Sequence, residues 1–212
     1  GYSLPSPGEA AASRLPVLCP RWFAAGDKAE RGPIMKSLQD TDPAGPTVVY
    51  LAKFLAADLE RCVLTGDTLI GDEDVRFVGL CRVFSGTLRP NSKLYITTEN
   101  GSKATKQLSI VRVFTLKGRF LESVAEALAG WIVAVEVEVT GAESTADGST
   151  PTETSELGVQ RFLTLCDDPE GPFLETPYSS QAFAMVRVSI EPKSVADIDA
   201  LERGLRLLHK AD

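Results

Sequence analysis

Apolar and polar positions alternate along much of the chain with the two-residue period of a half-buried β-strand. The clearest example is Trp131–Val139, where every odd-numbered position from 133 onwards is valine. Glu136 and Glu138 occupy the opposite set of positions. One apolar and one polar face predict a strand in an antiparallel sheet that meets water on one side.

Other runs of β-branched and aromatic residues predict further strands. These runs cover residues 47–55, 75–84, 93–98, 107–116 and 161–166. Ser85-Gly86 predicts a turn after the second of them, and Asn100-Gly101 predicts a hairpin between the third and fourth. Many short strands separated by turn residues predict a mainly β fold, a small antiparallel β-barrel over residues 47–180.

Three segments lack this alternation. Residues 1–46 contain seven prolines, which predicts an irregular entry segment because proline interrupts regular elements. Residues 56–74 contain six acidic residues, which predicts an acidic surface loop. Residues 140–158 are rich in glycine, serine, threonine and glutamate and have no bulky apolar residue before Leu157, which predicts a mobile loop.

The pattern changes again over residues 181–212. Phe183–Ile190 predicts a strand, which Pro192 ends, and Ser194 can cap a helix that follows. One helical face then collects the apolar residues Ile198, Leu201, Leu205 and Leu208. We expect a strand and a helix that begin a truncated α+β domain.

Charge is distributed unevenly. The net charge of −7 argues against non-specific binding to nucleic acid. Residues 82–119 nevertheless hold eight basic residues and one acid, Glu99, so this window is +7 and the remainder is −14 (−7 minus 7). Two interpretations stay open, solubilising surface charge or a phosphate-contacting face. The candidate RNA-contacting residues are Arg82, Arg89, Lys93, Lys103, Lys106, Arg112, Lys117 and Arg119.

The sequence offers no recognisable catalytic, cofactor-binding or metal-binding residues. Four scattered cysteines and the single His209 do not have the spacing of a zinc site. We interpret the cysteines as reduced thiols of the cytosol or nucleus. The chain contains neither a phosphate-loop pattern nor a nucleophile elbow. No apolar run reaches the roughly 18 residues of a membrane span. These patterns predict a non-catalytic binding or scaffold piece.

Five short stretches, in order along nearly the whole chain, resemble the elongation factor 2 branch of the translational GTPases. They are Leu4–Pro7; Asp42–Pro46 running into Val49–Phe54; Arg82–Gly86; Gly118-Arg119 with Glu122; and Val186–Val188 through Glu191–Lys193 to Leu208. In that family such a stretch is the second domain, a β-barrel, followed by the first strand and helix of the third domain.

The resemblance implies several further expectations. Residues 1–46 would lead out of a GTP-binding domain that is missing from this chain, and that domain would bind GTP and Mg²⁺. No catalytic residue of the family falls on this sequence. The partners would be that GTP-binding domain and the ribosome or another ribonucleoprotein, with ribosomal RNA contacted through the basic stretch and no membrane involved.

The branch has several members. One is the translocase elongation factor 2, another is a maturation GTPase that releases an anti-association factor from large ribosomal subunits, and a third is spliceosomal. The acidic loop at 56–74 and the polar insertion at 140–158 favour the maturation GTPase. Asp42–Pro46, by contrast, suits the translocase and the spliceosomal member at least as well as the maturation GTPase. A free-standing ribonucleoprotein-binding module is a further alternative. The expected location is cytoplasmic, or nuclear for the spliceosomal member.

Overall fold

The computed structural model describes residues 4–20, 28–64, 75–97, 103–140, 162–175, 186 and 188–211. Within them lie three α-helices, which we number α1 (Pro7–Leu18), α2 (Lys28–Asp40) and α3 (Ile198–Ala211). A single 3₁₀ turn, Val195–Asp197, leads into α3. No helix among these residues is long and apolar enough to cross a membrane.

The predicted mainly β, antiparallel fold is confirmed. The strands are β1 (Val48–Asp58), β2 (Val63–Leu64), β3 (Val75–Ser85), β4 (Thr87–Leu88), β5 (Lys93–Thr97), β6 (Gln107–Lys117), β7 (Phe120–Val124), β8 (Ala127–Leu128), β9 (Ile132–Thr140) and β10 (Leu163–Cys166). All six predicted barrel strands are present within a few residues of the expected bounds. The sequence pattern missed β2, β4 and β8 because two residues are too few to display a periodicity, and it missed β7, whose five residues include the polar Glu122 and Ser123.

The strands close into a ring. Starting from β1, the antiparallel neighbours are β3, β9, β6, β5 and β10, and β10 pairs back with β1 through Val48–Cys166 and Leu51–Leu163. The interior holds a fully buried apolar core that includes Val49, Leu51, Ile110, Val133 and Leu165. Closure leaves these long strands paired on both sides, which removes the exposed edges of an open sheet.

The far ends of β1 and β6 take part in a second closure through β2 and β7. Neighbouring residues of a strand point to opposite faces. Val113 therefore joins the core of the ring, whereas Phe114 joins a separate cluster with Ala57, Leu121 and Ala134. Bulges after Leu51 in β1 and after Ile110 in β6 shift the register, as expected where long strands bend.

The prediction that residues 1–46 are irregular was wrong for Pro7–Leu18 and Lys28–Asp40, which are helical. Ser6 caps α1 by accepting from the Glu9 amide while the Glu9 carboxylate accepts from the Ser6 amide, and Pro7 occupies the first turn, where proline needs no donor. Pro16 and Pro33 lie inside the two helices. Packing outweighs their lost hydrogen bonds, because one face of each helix is buried.

The two helices cover the outside of the ring. Leu15 of α1 and Leu38 of α2 are each 1% exposed and pack in one cluster with Val48, Cys166 and Leu174. The turn after α2 is tied to the turn after β3, since Gly86 donates its amide to Asp42 O and Thr87 donates its hydroxyl to Pro43 O. The predicted boundary at residue 46, and the origin of residues 1–46 in a separate domain, stay predictions.

The strand predicted at Phe183–Ile190 was wrong for its described residues. Positions 186 and 188–190 have no strand conformation, and Val186 and Val188 are 77% and 75% exposed. Among the described strands none pairs with this segment, and an unpaired strand is not stable by itself. The helix that follows is confirmed, with Ser194 accepting from the Ala196 amide at its start. Whether it begins another domain stays a prediction.

Several predicted loops fall largely outside the described residues. The Asn100-Gly101 turn and nearly all of the 140–158 insertion belong to this group. The antiparallel register of β5 and β6, with Lys93 opposite Ser109 and Tyr95 opposite Gln107, agrees with the predicted hairpin. The start of the acidic loop, predicted at residue 56, was placed too far towards the N-terminus. Ala56, Ala57 and Asp58 still belong to β1, and Val63-Leu64 form β2.

Candidate nucleic-acid interface

The eight basic residues of the 82–119 stretch do not share one compact patch. Lys106 stands just before β6 and Lys117 ends it, eleven positions along the chain. At roughly 3.3 Å per strand residue this separation is on the order of 35 Å. The two ends of β6 therefore present separate groups of charge, and a single small ligand cannot contact all eight.

Three of the eight pair with carboxylates from outside the window. Arg89 lies 2.8 Å from Glu126, Arg112 lies 2.6 Å from Glu136, and Lys117 pairs with Glu122. The hydrogen bond that Arg112 Nε donates to the Glu136 carboxylate also raises the pKa of Arg112. The linear count of +7 therefore overstates the local charge, because β7, β9 and the loop between β7 and β8 bring acids to the same surface.

Arg82 occupies an unusual position on β3. Its side chain is half-buried and its guanidinium lies 5.1 Å from the centre of the Phe84 ring. Its Nε is buried and has no hydrogen-bond partner. Burial, together with the nearby positive charge of Arg14 on α1, lowers the pKa of Arg82. This residue lines a pocket beneath α1, and none of the other seven basic residues lines it.

Arg119 belongs to the β6–β7 end of the ring. It is exposed, and its guanidinium lies 5.8 Å from the centre of the Phe120 ring, itself 57% exposed. Lys117 nearby is already paired with Glu122. Of the two cations at this end, Arg119 alone is not paired with a described carboxylate.

Lys93, Lys103 and Lys106 form the most available group, which we call the β5–β6 lysines. All three are exposed, and none of the described carboxylates lies within ion-pair distance of them. The backbone around them is fixed: the Lys106 carbonyl accepts from the Ile96 amide, and the Ala104 amide donates to the Pro169 carbonyl. Three cations on one fixed hairpin suit contact with phosphates.

Acids of the neighbouring turn moderate this group. The carboxylate of Asp167 accepts from the Thr47 amide, and that of Asp168 accepts from the Glu170 amide. Each carboxylate is therefore held by the backbone. The β5–β6 lysines are therefore exposed near a turn whose two aspartate side chains are negatively charged and already accept backbone hydrogen bonds.

An exposed apolar group at the start of β9, away from the β5–β6 lysines, was missed from the sequence. Leu128, Trp131 and Ile132 are 37%, 42% and 59% exposed around the turn between β8 and β9. The pattern held one signal: Ile132 is an apolar residue among the positions that carry Glu136 and Glu138. Exposed apolar side chains that lie together are a common feature of surfaces that bind other molecules.

Among the described residues no group of three or more histidine, cysteine, aspartate or glutamate side chains could hold a metal ion. The thiols of Cys19, Cys81 and Cys166 are buried, and burial raises the pKa of Cys19 and of Cys166 to about 12. A thiol is a poor nucleophile at neutral pH when its pKa is raised so far. Covalent chemistry at the thiols of Cys19 and Cys166 is therefore unfavourable.

Known proteins with sequences similar to this chain include elongation factors and a ribosome assembly protein. No model of a known protein family matches it. It is 28% identical over 209 residues to elongation factor 2 of Metallosphaera sedula and 30% identical over 210 residues to elongation factor 2 of Archaeoglobus fulgidus, in each case over 99% of this chain. It is 27% identical over 155 residues, or 70% of its length, to ribosome assembly protein 1 of Schizosaccharomyces pombe.

The mainly β ring of antiparallel strands is consistent with the second domain of a translation factor. With these relatives, the chain belongs to the elongation factor 2-like translational GTPase family. It spans 23%, 14% and 22% of the lengths of the three relatives. The family resemblance seen in the sequence is thereby confirmed.

Proposed function

We propose that this chain is a non-catalytic, ribosome-contacting part of an elongation factor 2-like GTPase that acts in translation or ribosome assembly. The observation that carries the proposal is its similarity to elongation factor 2 over 99% of its residues. The name of the third relative, ribosome assembly protein 1, supports the second of the two processes. The location that we propose is cytoplasmic.

We propose that GTP and Mg²⁺ bind to another part of the parent protein. The sequence lacks the glycine-rich loop and lysine that cradle nucleotide phosphates, and the described residues offer no metal-binding group. No hydrolytic step is therefore assigned to any residue here. The proposed contribution of this chain is to hold its partners in position while the nucleotide state changes elsewhere.

The proposed contact with ribonucleoprotein runs through the β5–β6 lysines. They are exposed, fixed by backbone hydrogen bonds and free of ion pairs among the described residues, whereas Arg89, Arg112 and Lys117 already pair with carboxylates. Phosphate contacts require cations that are not neutralised within the protein. This distinction leaves five of the eight sequence candidates. Arg82 is half-buried beneath α1 and Arg119 stands by itself at the β6–β7 end, so we expect the three β5–β6 lysines to matter most.

A salt titration of ribosome binding tests this contact. The variant Lys93→Gln, Lys103→Gln, Lys106→Gln is compared with a matched control, Lys36→Gln, Lys53→Gln, Lys193→Gln, in which three exposed lysines elsewhere are changed. Binding to purified ribosomal subunits is measured at several salt concentrations. Each lost phosphate contact lowers the slope of log K against log salt by about 0.7–0.9, so we expect a decrease of about 2–3 for the first variant only.

Equal loss of affinity in both triple variants would mean that net charge alone controls binding. Unchanged affinity and slope in both would remove the β5–β6 lysines from the interface. A matching assay for GTP binding by this chain should give no signal. Saturable GTP binding would overturn the placement of the nucleotide site elsewhere.

For the particular role, we propose GTP-driven release of an anti-association factor from large ribosomal subunits. The support is the polar insertion at 140–158 and the long acidic segment near 56–74, which depart from the pattern of a translocase. The second candidate is translocation in protein synthesis, which the matches to elongation factor 2 over 99% of the chain favour.

Depletion of the parent protein separates the two candidates. Failure of release should leave the anti-association factor bound to large subunits in sucrose gradients while elongation on existing ribosomes continues. Loss of a translocase should instead stop elongation at once, with normal subunits. Normal ribosomes and normal elongation, with failed splicing, would point to the spliceosomal alternative.

A further inference from the structure

A small pocket between α1 and the strand ring contains two arginines. It is lined by residues of α1 and α2, by β3, and by the turn before β9; these include Arg14, Leu15, Leu38, Arg82, Phe84 and Gly130. Its enclosed volume is only about 10 Å³, and the pocket opens to solvent. The pocket lies beneath α1, and none of its lining residues is one of the β5–β6 lysines.

The two arginines bring like charge together at this pocket. Arg14 is exposed on α1, and its charge adds to burial in lowering the pKa of Arg82. Among the described residues no carboxylate pairs with either guanidinium. Two unpaired cations beside each other repel, and an anion bound between them would reverse that cost.

Arg82 also has an unused donor. Its Nε is buried and lacks a hydrogen-bond partner, while its guanidinium lies over the Phe84 ring at 5.1 Å. A buried donor without a partner is unfavourable by roughly 1–3 kcal/mol, and native structures rarely retain one without an unseen partner such as a water or an ion. The stacked ring holds the guanidinium in place, so its donors keep a fixed direction.

We propose that Arg14 and Arg82 form an anion-binding site that takes a phosphate group. Phosphate suits the pair better than a single carboxylate, because it can carry two negative charges and arginine binds its oxygens in a bidentate manner. The enclosed part of the pocket has space for about one oxygen, so a phosphate would insert a single oxygen and stay at the solvent-open mouth, where a larger molecule can carry it. The site does not depend on the function proposed above.

The source of the phosphate can be inorganic phosphate or the backbone of an RNA strand. Ile132 stands directly opposite Arg82 in the β3–β9 register, is 59% exposed, and follows the exposed Trp131. An RNA strand bound through one phosphate would have these apolar side chains beside it. Free phosphate would use the two arginines alone.

Calorimetric titration of the 212-residue chain, first with inorganic phosphate and then with a short single-stranded RNA at constant ionic strength, tests the proposal. We expect Arg14→Gln to weaken binding about tenfold or more, since one charge-assisted contact is lost. Arg82→Lys keeps the charge but removes the Nε donor and should weaken binding similarly. Arg76→Gln is the control, because Arg76 is exposed on the same strand six residues away.

A second measurement, made on the wild-type protein, tests the proposal even if the Arg82→Lys variant binds weakly only because it is misfolded. The Nε–H resonance of Arg82, identified by its disappearance in Arg82→Lys, should shift in wild-type protein as phosphate is added. Displacement of phosphate by the RNA would assign the site to an RNA backbone, and binding of phosphate alone would assign it to the free ion. No Arg82 shift, or equal affinity in wild type and Arg14→Gln, would overturn the proposal.

Discussion

Valine side chains in two regions of this molecule meet opposite surroundings. In the strand ring, Val49, Val83 and Val133 have no exposed surface. In the segment before α3, Val186 and Val188 are 77% and 75% exposed although the local sequence is equally apolar. The comparison teaches that alternation alone does not bury a side chain. Burial requires a neighbouring strand or helix to close over the face.

The same contrast holds for the helices of the two regions. The apolar faces of α1 and α2 are buried against β1 and β10, with Leu15 and Leu38 each 1% exposed. Helix α3 approaches β1, yet Ile198 and Leu205 stay 47% and 43% exposed. Three predictions test whether this difference in burial is a difference in stability.

The largest expected effect comes from truncating an isoleucine to alanine in the ring, compared with the same truncation in α3. Ile110→Ala removes a fully buried side chain from the ring and should lower the free energy of unfolding by about 2–5 kcal/mol, through lost burial and the cavity left behind. Ile198→Ala, at a half-exposed site, should cost below about 1 kcal/mol. Urea denaturation of both variants measures the pair. Equal losses would mean that α3 is as tightly packed as the ring.

A smaller effect is expected from two glycines. Gly86 has a φ of +74°, and an added Cβ would come within 2.5 Å of Thr47 Cα. Gly86→Ala should therefore destabilise the ring by at least about 2 kcal/mol. In α3, Gly204 has nothing within 4 Å of the added atom, so Gly204→Ala should stabilise that helix by about 0.5–1 kcal/mol.

Thermal unfolding followed by circular dichroism measures both glycine variants. Gly118→Ala separates strain from collision, because Gly118 has a φ of +63° but open space around it. It should cost less than Gly86→Ala. If the two losses are the same, the contact with Thr47 contributes nothing and only the backbone conformation matters.

The smallest effect concerns the first turn of α1 and its dependence on pH. Hydrogen bonds from Ser6 lower the pKa of Glu9 below 4.5 in the folded chain. Because the pKa is lower in the folded chain than in the unfolded chain, the ionised carboxylate stabilises the helix at any pH above the unfolded pKa. This contribution is lost as the pH falls through the folded pKa. Hydrogen exchange of α1 amides between pH 7 and pH 3 should show this loss.

Glu9→Gln provides the control for that experiment, since glutamine can still accept from the Ser6 amide but does not titrate. Its α1 protection should vary less with pH than that of the wild type. The cap of α3 at Ser194 has no such partner among the described hydrogen bonds, so α3 should lack this dependence. An identical pH profile in wild type and Glu9→Gln would exclude Glu9 as the cause.

Sequence reasoning found the strands because their signal is local. Val133, Val135 and Val137 alternate within one strand, and no distant residue is needed to recognise it. The helices α1 and α2 were missed because Pro16 and Pro33 outweighed the capping box at Ser6 and Glu9, which was present in the sequence. The reverse error occurred at positions 186 and 188–190, the described part of the predicted strand Phe183–Ile190, where the residues favour a strand but no described strand pairs with them.

The candidate interface was only partly predictable for a related reason. A linear window counts Arg112 and Lys117 as free cations, whereas the folded chain places Glu136 and Glu122 beside them. The sequence window grouped Arg82 with surface lysines. In the fold, Arg82 of β3 stands opposite Tyr50 of β1 and lies beneath α1. Pairing across strands is a property of register, and register depends on bulges and turns that no window of sequence contains.

By itself, the sequence determined the mainly β character of this protein, its family, the strands of the ring and the helix that follows Ser194, because each of these follows from neighbouring residues or from short ordered motifs. Only the tertiary structure decided which apolar faces are buried, which cations stay unpaired and where Arg82 lies. Those outcomes depend on contacts between residues far apart in the chain. In this protein the same apolar and basic residues had different surroundings according to what packed against them.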